Sequence, residues 1–514
     1  MLLGMRKPLL PGLFALAACG SSGGGGSPPD APRRSDAMVV ADAGRTDAAP
    51  DAGVSLRPAL PCADPMDAVY AAPAQGAEPL GAILACAHDR AISAALLADA
   101  ALRLRYSGRA SSSGTDVYRI AYRTDRGPGG RGVGTALVMV PDHPRTSGPQ
   151  PLVVAAHGVV GQARRCAPSR GDLAAVGDFR DDARGLDVPL AADGWLVVAP
   201  DYGGYSTDWP PGFLIADDEG RGVLDATRAA AQLFPASALS GKVALVGHSQ
   251  GGHAVLSAQS LARTHGHYGE LAAVVAFTPL WISAANFAAL ASDISGVTTA
   301  GAPYLFGYGL QYFWTHAERY EGRMAAEAMF LPRALAGVRS YIEDGCLLDE
   351  ETRIPMLGTM ASDLYDPAFG DDVAGCAISP DSCGSAVAMR WQSRFLADRP
   401  HLDAKGAPVM LLFGGADTTI TPPRAQCAID RVTADLAAPG ATATLTVCGD
   451  PLATHSGVAT GEKTPFAATR RMMRPALEWL DARLLGAPPP APCSARIVPA
   501  GMPEPPCTTP PSND

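Results

Sequence analysis

Lys242-Val-Ala-Leu-Val-Gly-His-Ser-Gln-Gly-Gly-His-Ala254 is the stretch on which the reading of this chain turns. A short apolar run (242–246) stops at Gly247, and a helical pattern begins at Gln250. A strand that enters a tight turn and leaves as a helix is the setting in which Gly-x-Ser-x-Gly holds a serine above the C-terminal edge of a sheet. Small residues on either side keep the neighbouring chains from clashing, and the helix N-terminus that follows favours negative charge. Ser249 is therefore the candidate nucleophile; the bland reading is a glycine-rich helix entry in a non-catalytic protein.

A serine hydroxyl needs a base to take its proton. When a serine follows such a turn, the chain order is serine, acid, histidine. Asp417 ends the apolar run PVMLLFGGAD (408–417), and after it His455 is the only histidine in the chain. The base is thereby fixed as His455, in the loop segment LATHSGV. Asp450 is a rival acid, but it lies only five residues before His455, and Asp430 and Asp435 fall in an expected helix. Asp417 is the preferred acid. Charge developing on a carbonyl oxygen needs two backbone N–H donors. Gln250, directly after the serine, supplies one, and the His157-Gly158-Val159 loop after PLVVAA supplies the other. Gly158 gives that loop its backbone freedom, and His157 orients it.

Outward from this centre, further apolar runs fit strands buried on both faces: PLVVAAHG (151–158), WLVVAPDYGG (195–204), AAVVAFTPL (272–280) and ATLTVCGD (443–450). Asp116–Thr124 and Gly132–Val140 read as an antiparallel pair. Helical patterns fill Asp217–Phe234, Gln250–Arg263 and Pro465–Leu485, and the alanine-rich Cys62–Tyr106 also reads as helical, with Ile83, Leu84, Ile92, Leu96 and Leu97 as its apolar face. Strands alternating with helices predict an α/β fold with a mostly parallel, doubly wound sheet. The core is expected over 61–280 and 408–486, with an insertion at 281–407 and a Pro-rich tail at 487–514. Tyr304, Phe306, Tyr308, Tyr312, Phe313 and Trp314 crowd the insertion. They are either the packed core of a helical subdomain or the inner surface of a lid over an apolar substrate. Tyr304, Phe306, Tyr308 and Trp314 are the candidate contacts.

The 514 residues carry a formal net charge of −10, and only four of the 41 basic residues are lysines. Such a chain is ill suited to phosphate backbones, so nucleic acid is not an expected partner. At the N-terminus, Arg6 and Lys7 precede a short apolar run, and Leu16-Ala17-Ala18-Cys19 resembles the lipobox of bacterial lipoproteins. That resemblance implies a signal peptide over 1–18, acyl chains on Cys19 and a membrane-anchored, exported protein, in the outer membrane if the cell is Gram-negative. Residues 19–60, opening GSSGGGGSPPD after the cysteine, read as a disordered tether. The remaining ten cysteines are an even number for an oxidising compartment. Cys376–Cys383, Cys427–Cys448 and Cys493–Cys507 are plausible local pairs, the second as a clamp between acid and base. No ligand spacing suggests a metal, and the chemistry calls for no cofactor.

With these segments in place, the chain resembles the α/β-hydrolase superfamily, and within it the secretory lipase family of bacteria and fungi. The carrying motifs are HGVVGQARRCAPS (157–169), APDYGG (199–204), GHSQGGHA (247–254), GGADTTITP (414–422) and THSGV (454–458), spread over residues 61–485. The resemblance implies ester cleavage through an acyl-enzyme. Ser249 would be the nucleophile, Asp417 the acid and His455 the base, with Val159 and Gln250 donating to the oxyanion and a helical lid after the AVVAFTPL strand. Val159 stands where the family often has threonine, so only a backbone donor is expected there. The implied partner is a small-molecule or lipid ester. Two rivals stay open: a serine peptidase or amidase on the same triad, and a catalytically silent surface lipoprotein that binds an apolar ligand.

Overall fold

The apolar runs become strands. In the computed structural model, which describes residues 56–507 apart from 105, 107, 108, 128, 129, 379–382 and 456–467, nine strands form one sheet. They are β1 (Ile83–Ile92), β2 (Thr115–Asp125), β3 (Arg131–Pro141), β4 (Gln150–Ala156), β5 (Leu196–Gly203), β6 (Leu239–His248), β7 (Glu270–Phe277), β8 (Val409–Gly414) and β9 (Leu445–Asp450). Their spatial order is β1-β2-β3-β5-β4-β6-β7-β8-β9. The pairs from β1 to β5 are antiparallel, and β5, β4, β6, β7, β8 and β9 run parallel. The leader and Cys19 lie outside the described residues.

Side-chain alternation explains why helices cover both faces. Leu152, Val154, Leu245, Val274 and Leu411 join one core with the helices Ala216–Leu233 and Gln250–His265. Val153, Val246, Val275 and Met410 join the other with Asp181–Ala192 and Ala468–Leu480. The parallel registers Ala156↔Gly247, His248↔Phe277, Phe277↔Leu412 and Gly414↔Asp450 bring the C-terminal ends of β4, β6, β7, β8 and β9 to one edge. Residues far apart in sequence thus meet there.

The expectation of a helical Cys62–Tyr106 is corrected. Its middle is β1, paired antiparallel with β2 through Cys86↔Ile120. Alanine favours helix in an isolated chain, but here the open edge of β2 provides a backbone partner and the Cys62–Cys86 disulfide ties the strand down. Among the described residues Ala94–Arg103 is the only long helix in that stretch, and Leu96, expected on its apolar face, is 53% exposed.

Cysteine pairing is corrected in part. Cys376–Cys383 forms as expected. Cys427 pairs with Cys507 and Cys448 with Cys493, in place of Cys427–Cys448 and Cys493–Cys507. The reason is tertiary. The tail returns across β9, where Gly449 N–H donates to Ser494 O at 2.6 Å, and continues to the helix Pro422–Leu436 that carries Cys427. With Cys166–Cys346, the described residues hold five disulfides, which suggest an exported protein.

Between β7 and β8 the chain is helical, with Pro303–Glu321, Pro332–Asp344, Pro367–Ile378 and Ala386–Asp398 as its longest segments. Its interior is aromatic: Tyr312 stacks on Phe395 at 5.6 Å, and Phe313 meets Trp391 and Phe369 edge-on at 5.0 and 5.4 Å. Among the described residues, no helix is long and apolar enough to cross a membrane.

Candidate active site

Ser249 sits between β6 and the helix Gln250–His265 with φ 54° and ψ −115°, a conformation a non-glycine residue rarely adopts. The turn is closed by backbone bonds: Ser249 N–H to Phe277 O at 3.0 Å, and Leu280 N–H to Ser249 O at 2.9 Å. Glycine is required on both sides. A Cβ on Gly247 would stand 2.1 Å from Gly251 O, and one on Gly251 would stand 1.9 Å from Ala156 O. Gly247 is thus required by the start of the following helix and Gly251 by the end of β4.

His455 Nε2 is 2.9 Å from Ser249 Oγ, and His455 Nδ1 is 2.8 Å from Asp417 Oδ2. The other carboxylate oxygen, Oδ1, accepts the N–H groups of Thr419 and Ile420, both at 2.8 Å. With Asp417 anchored by its own loop, the network assigns the proton to Nδ1, leaving Nε2 to accept from the serine. All three side chains are buried. Burial pushes the His455 imidazole down, but the charge and hydrogen bond of Asp417, with Asp182 adding, outweigh it and raise its pKa above the ordinary histidine value of 6.5. The rival acid, Asp450, ends β9 and accepts the Leu452 N–H at 2.9 Å.

Val159, buried, follows β4 on the same edge, and Gln250 is the first residue of the helix. Among the described residues neither backbone N–H has an acceptor, as oxyanion donors require. Gln250 turns its side chain away: its Nε2 donates to Glu219 Oε1 at 2.6 Å. Glu219 also accepts from Leu214 N–H and pairs with His253 Nδ1, both at 2.8 Å. His157 lies in the loop as expected, with Nδ1 2.6 Å from Gly158 O and its own carbonyl accepting from Tyr202 OH at 2.7 Å.

Asp182 and His248 went unrecognised in the sequence. Asp182 Oδ2 accepts the Gly158 N–H at 3.1 Å, and its Oδ1 lies 2.7 Å from His248 Nδ1. The far side of that ring, Nε2, is 3.0 Å from the backbone O of His455. One buried carboxylate therefore joins the Gly158 loop, the Ser249 turn and, through His248, the His455 loop. A Cβ on Gly158 would come within 2.1 Å of Asp182 Oδ2, so this glycine serves close approach. Burial acts to raise the Asp182 carboxyl, and the facing His248 holds it below its usual range. Asp182 carried no motif, and His248 was set aside because it precedes the acid in the chain.

Of the four aromatic contact candidates, Tyr308 lines a small cavity beside the Ser249 turn, with Leu280, Trp281, Phe287 and Ile420. Tyr304 instead donates to Glu351 Oε1 at 2.7 Å. Trp314 donates to Glu318 Oε2 at 2.6 Å, and Phe306 is buried in the core. Among the described residues no cluster of three or more His, Cys, Asp or Glu side chains could hold a metal.

The model of the secretory lipase family matches residues 185–321, a segment that holds Ser249 and Gln250 but neither Asp417 nor His455. None of the curated proteins compared matches the chain. Among solved structures, lipase A of Candida antarctica in its closed state is similar at TM-score 0.59 and 18% identity, covering 86% of this chain and 93% of that one. A ligand-bound rice cell wall degrading esterase of Xanthomonas oryzae is similar at TM-score 0.58 and 20% identity, covering 80% and 99%. A putative hydrolase of Legionella pneumophila follows at 0.54 and 17%, covering 68% and 88%. The fold is that of an α/β-hydrolase, and with the family match these likenesses support a carboxylic ester hydrolase resembling the secretory lipases.

Proposed function

We propose that the protein is a serine lipase or esterase that cleaves apolar acyl esters, acylglycerols among them, through an acyl-enzyme on Ser249. The observation that carries this reading is the buried chain from Ser249 Oγ to His455 at 2.9 Å and on to Asp417 at 2.8 Å. His455 Nε2 takes the serine proton as Oγ bonds to the ester carbon, and the carbonyl electron pair moves onto oxygen. The Val159 and Gln250 N–H groups receive that charge. His455 then gives the proton to the leaving alkoxide, and the C–O bond breaks. Water, deprotonated by the same histidine, then bonds to the acyl carbon; the C–Oγ bond breaks, His455 returns the proton to Ser249 Oγ, and the acid leaves. Asp417 keeps the proton on Nδ1 and stabilises the imidazolium that forms.

The helical segment 281–407 is read as a cap over this site, since Leu290, Leu305 and Tyr308 from it face the cavity. Cys19 is read as a lipid-bearing anchor, and a Cys19→Ala chain recovered in the membrane fraction would refute that. The test of the activity is hydrolysis of p-nitrophenyl esters from acetate to palmitate, with Ser249→Ala alongside. Turnover abolished by the substitution is expected. A folded protein that cleaves aminoacyl amides and no ester would point to an amidase, and one that cleaves neither would point to a silent binding protein.

A further inference from the structure

The peptide between Ser249 and Gln250 carries one of the two N–H groups read above as oxyanion donors, and it is gripped from its other side. Its carbonyl, Ser249 O, accepts from Leu280 N–H at 2.9 Å and from His253 N–H at 3.1 Å. In a planar trans peptide the N–H points opposite to the carbonyl. These two bonds therefore set the direction of the Gln250 N–H.

One carboxylate spans the turn that makes them. Glu219 stands in the first turn of the neighbouring helix Ala216–Leu233. Its Oε1 accepts from Gln250 Nε2 at 2.6 Å and from Leu214 N–H at 2.8 Å, and its Oε2 meets His253 Nδ1 at 2.8 Å. Glu219 thus holds the residue that bears the donor and also the residue whose N–H holds the Ser249 carbonyl. The other side of the His253 ring is fixed as well, with Nε2 2.6 Å from Asp398 O at the end of the insertion helix Ala386–Asp398. Glu219, Gln250 and His253 are buried, so water does not compete for these bonds. Burial pulls the His253 imidazole down, but the bond to Glu219 and its charge, with Asp398 adding, outweigh it and raise its pKa. The imidazolium so favoured offsets the Glu219 charge. Asp225, buried in the same helix, differs: its partners Thr124, His265 and Arg228 lie outside the Ser249 turn.

Resting on the hydrolase reading above, we infer that Glu219 is a positioning residue for the reaction: through Gln250 Nε2 and His253 it fixes the peptide whose N–H receives the oxyanion charge. A donor stabilises a transition state best when it is already aimed at the developing charge and need not reorganise. Glu219→Gln can keep the clamp, because its Oε1 still accepts from Leu214 and Gln250 while its Nε2 donates to a neutral His253 Nδ1. Glu219→Ala cannot.

The experiment measures kcat and KM on p-nitrophenyl butyrate, and the inhibition constant of octyl trifluoromethyl ketone, for Glu219→Ala, Glu219→Gln and Asp225→Ala beside the unchanged protein. The ketone takes Ser249 Oγ on its carbonyl carbon, His455 takes the proton, and the resulting oxyanion occupies the same donors as the transition state. For Glu219→Ala we expect kcat lower by about tenfold or more, KM within about twofold, and ketone affinity falling in step with kcat/KM. Glu219→Gln should recover most of that loss, and Asp225→Ala should lower the melting temperature with kcat unchanged. An unmoved kcat or ketone affinity in Glu219→Ala overturns the inference, as does a Glu219→Gln no faster than it or an Asp225→Ala equally slow. Should Glu219→Ala not fold, Gln250→Met, which keeps the backbone donor and cuts its link to Glu219, carries the same expectation and the same refutation. A protein that binds the ketone but turns over no ester is judged on ketone affinity alone. One that does neither loses the hydrolase reading, and the inference falls with it.

Discussion

The strand-end loops and the helical insertion both bury charged side chains, but they satisfy them from different distances. Asp417 is held by N–H groups two and three residues along its own loop, and Ser249 by a turn its flanking glycines permit. Asp398, at the end of the insertion helix Ala386–Asp398, depends on remote partners. Tyr312 OH and His316 Nε2 meet its Oδ2 at 2.8 and 2.6 Å, and Ala216 N–H meets its Oδ1 at 3.1 Å. Glu350 is similar: Tyr341 OH and Gln311 Nε2 donate to it at 2.6 and 3.0 Å, and burial pushes its carboxyl well above the usual range. Local satisfaction leaves a pattern in the sequence, and remote satisfaction does not. The comparison also separates two tasks, since the loops bring candidate reacting groups together while the insertion extends the core on one face of the sheet.

Substitutions can break that separation, and the largest effect is expected at the serine. Ser249→Ala should lower kcat by roughly 10⁴-fold or more with an unchanged circular dichroism spectrum. Asp417→Asn comes next, at about 10⁴-fold, because the wrong tautomer is then favoured. It should also shift the pH profile. As the proposed base His455 would work only when neutral, and its pKa is raised above the ordinary 6.5 by Asp417, so activity should fall as pH drops through a value above 6.5. Losing the Asp417 charge should move that acid limb down; a limb that stays in place would show that Asp417 does not set it.

In the insertion, stability is the expected readout. Trp314→Ala removes a fully buried side chain packed on Phe330 at 5.9 Å and should cost about 3–5 kcal/mol in denaturant unfolding. Opening the Cys166–Cys346 bridge, which spans 180 residues and ties the insertion to the chain after β4, should cost roughly 3 kcal/mol as the Cys166→Ser, Cys346→Ser pair. Asp182→Asn tests the boundary between the regions, since it weakens the His248 link to the His455 loop. A fall in kcat of about tenfold with little change in KM is expected from loosened positioning, and a loss of stability alone would make it merely structural. The smallest effect belongs to Tyr308→Ala, where KM for long acyl esters should rise by roughly threefold to tenfold.

How far the molecule was legible follows the same division. The strands after β1 and the helices that follow β5, β6 and β9 were readable, because apolar runs of strand length separated by helical repeats admit few packings. β1 was not, because an alanine-rich strand at a sheet edge is written in residues that favour helix. Ser249, Asp417 and His455 were readable as candidates through one motif and one order along the chain, and the structure brings them within hydrogen-bond distance. Asp182 was not, since its contacts with Gly158 and His248 are set by the fold. The aromatic run after Tyr304 was read as either core or cap surface. It splits, with Tyr308 at the cavity and Tyr312, Phe313 and Trp314 in the insertion's interior.

Sequence alone determined the α/β architecture, the strained serine turn and the single histidine available after the acid. These depend on periodicity, close packing at glycine and chain order, which are properties of neighbouring residues. Only tertiary structure decided that Cys427 pairs with Cys507 and Cys448 with Cys493, and that Asp182 and His248 join three loops. Those contacts join residues brought together by the parallel sheet and the returning tail, and distance in space is not written in distance along the chain.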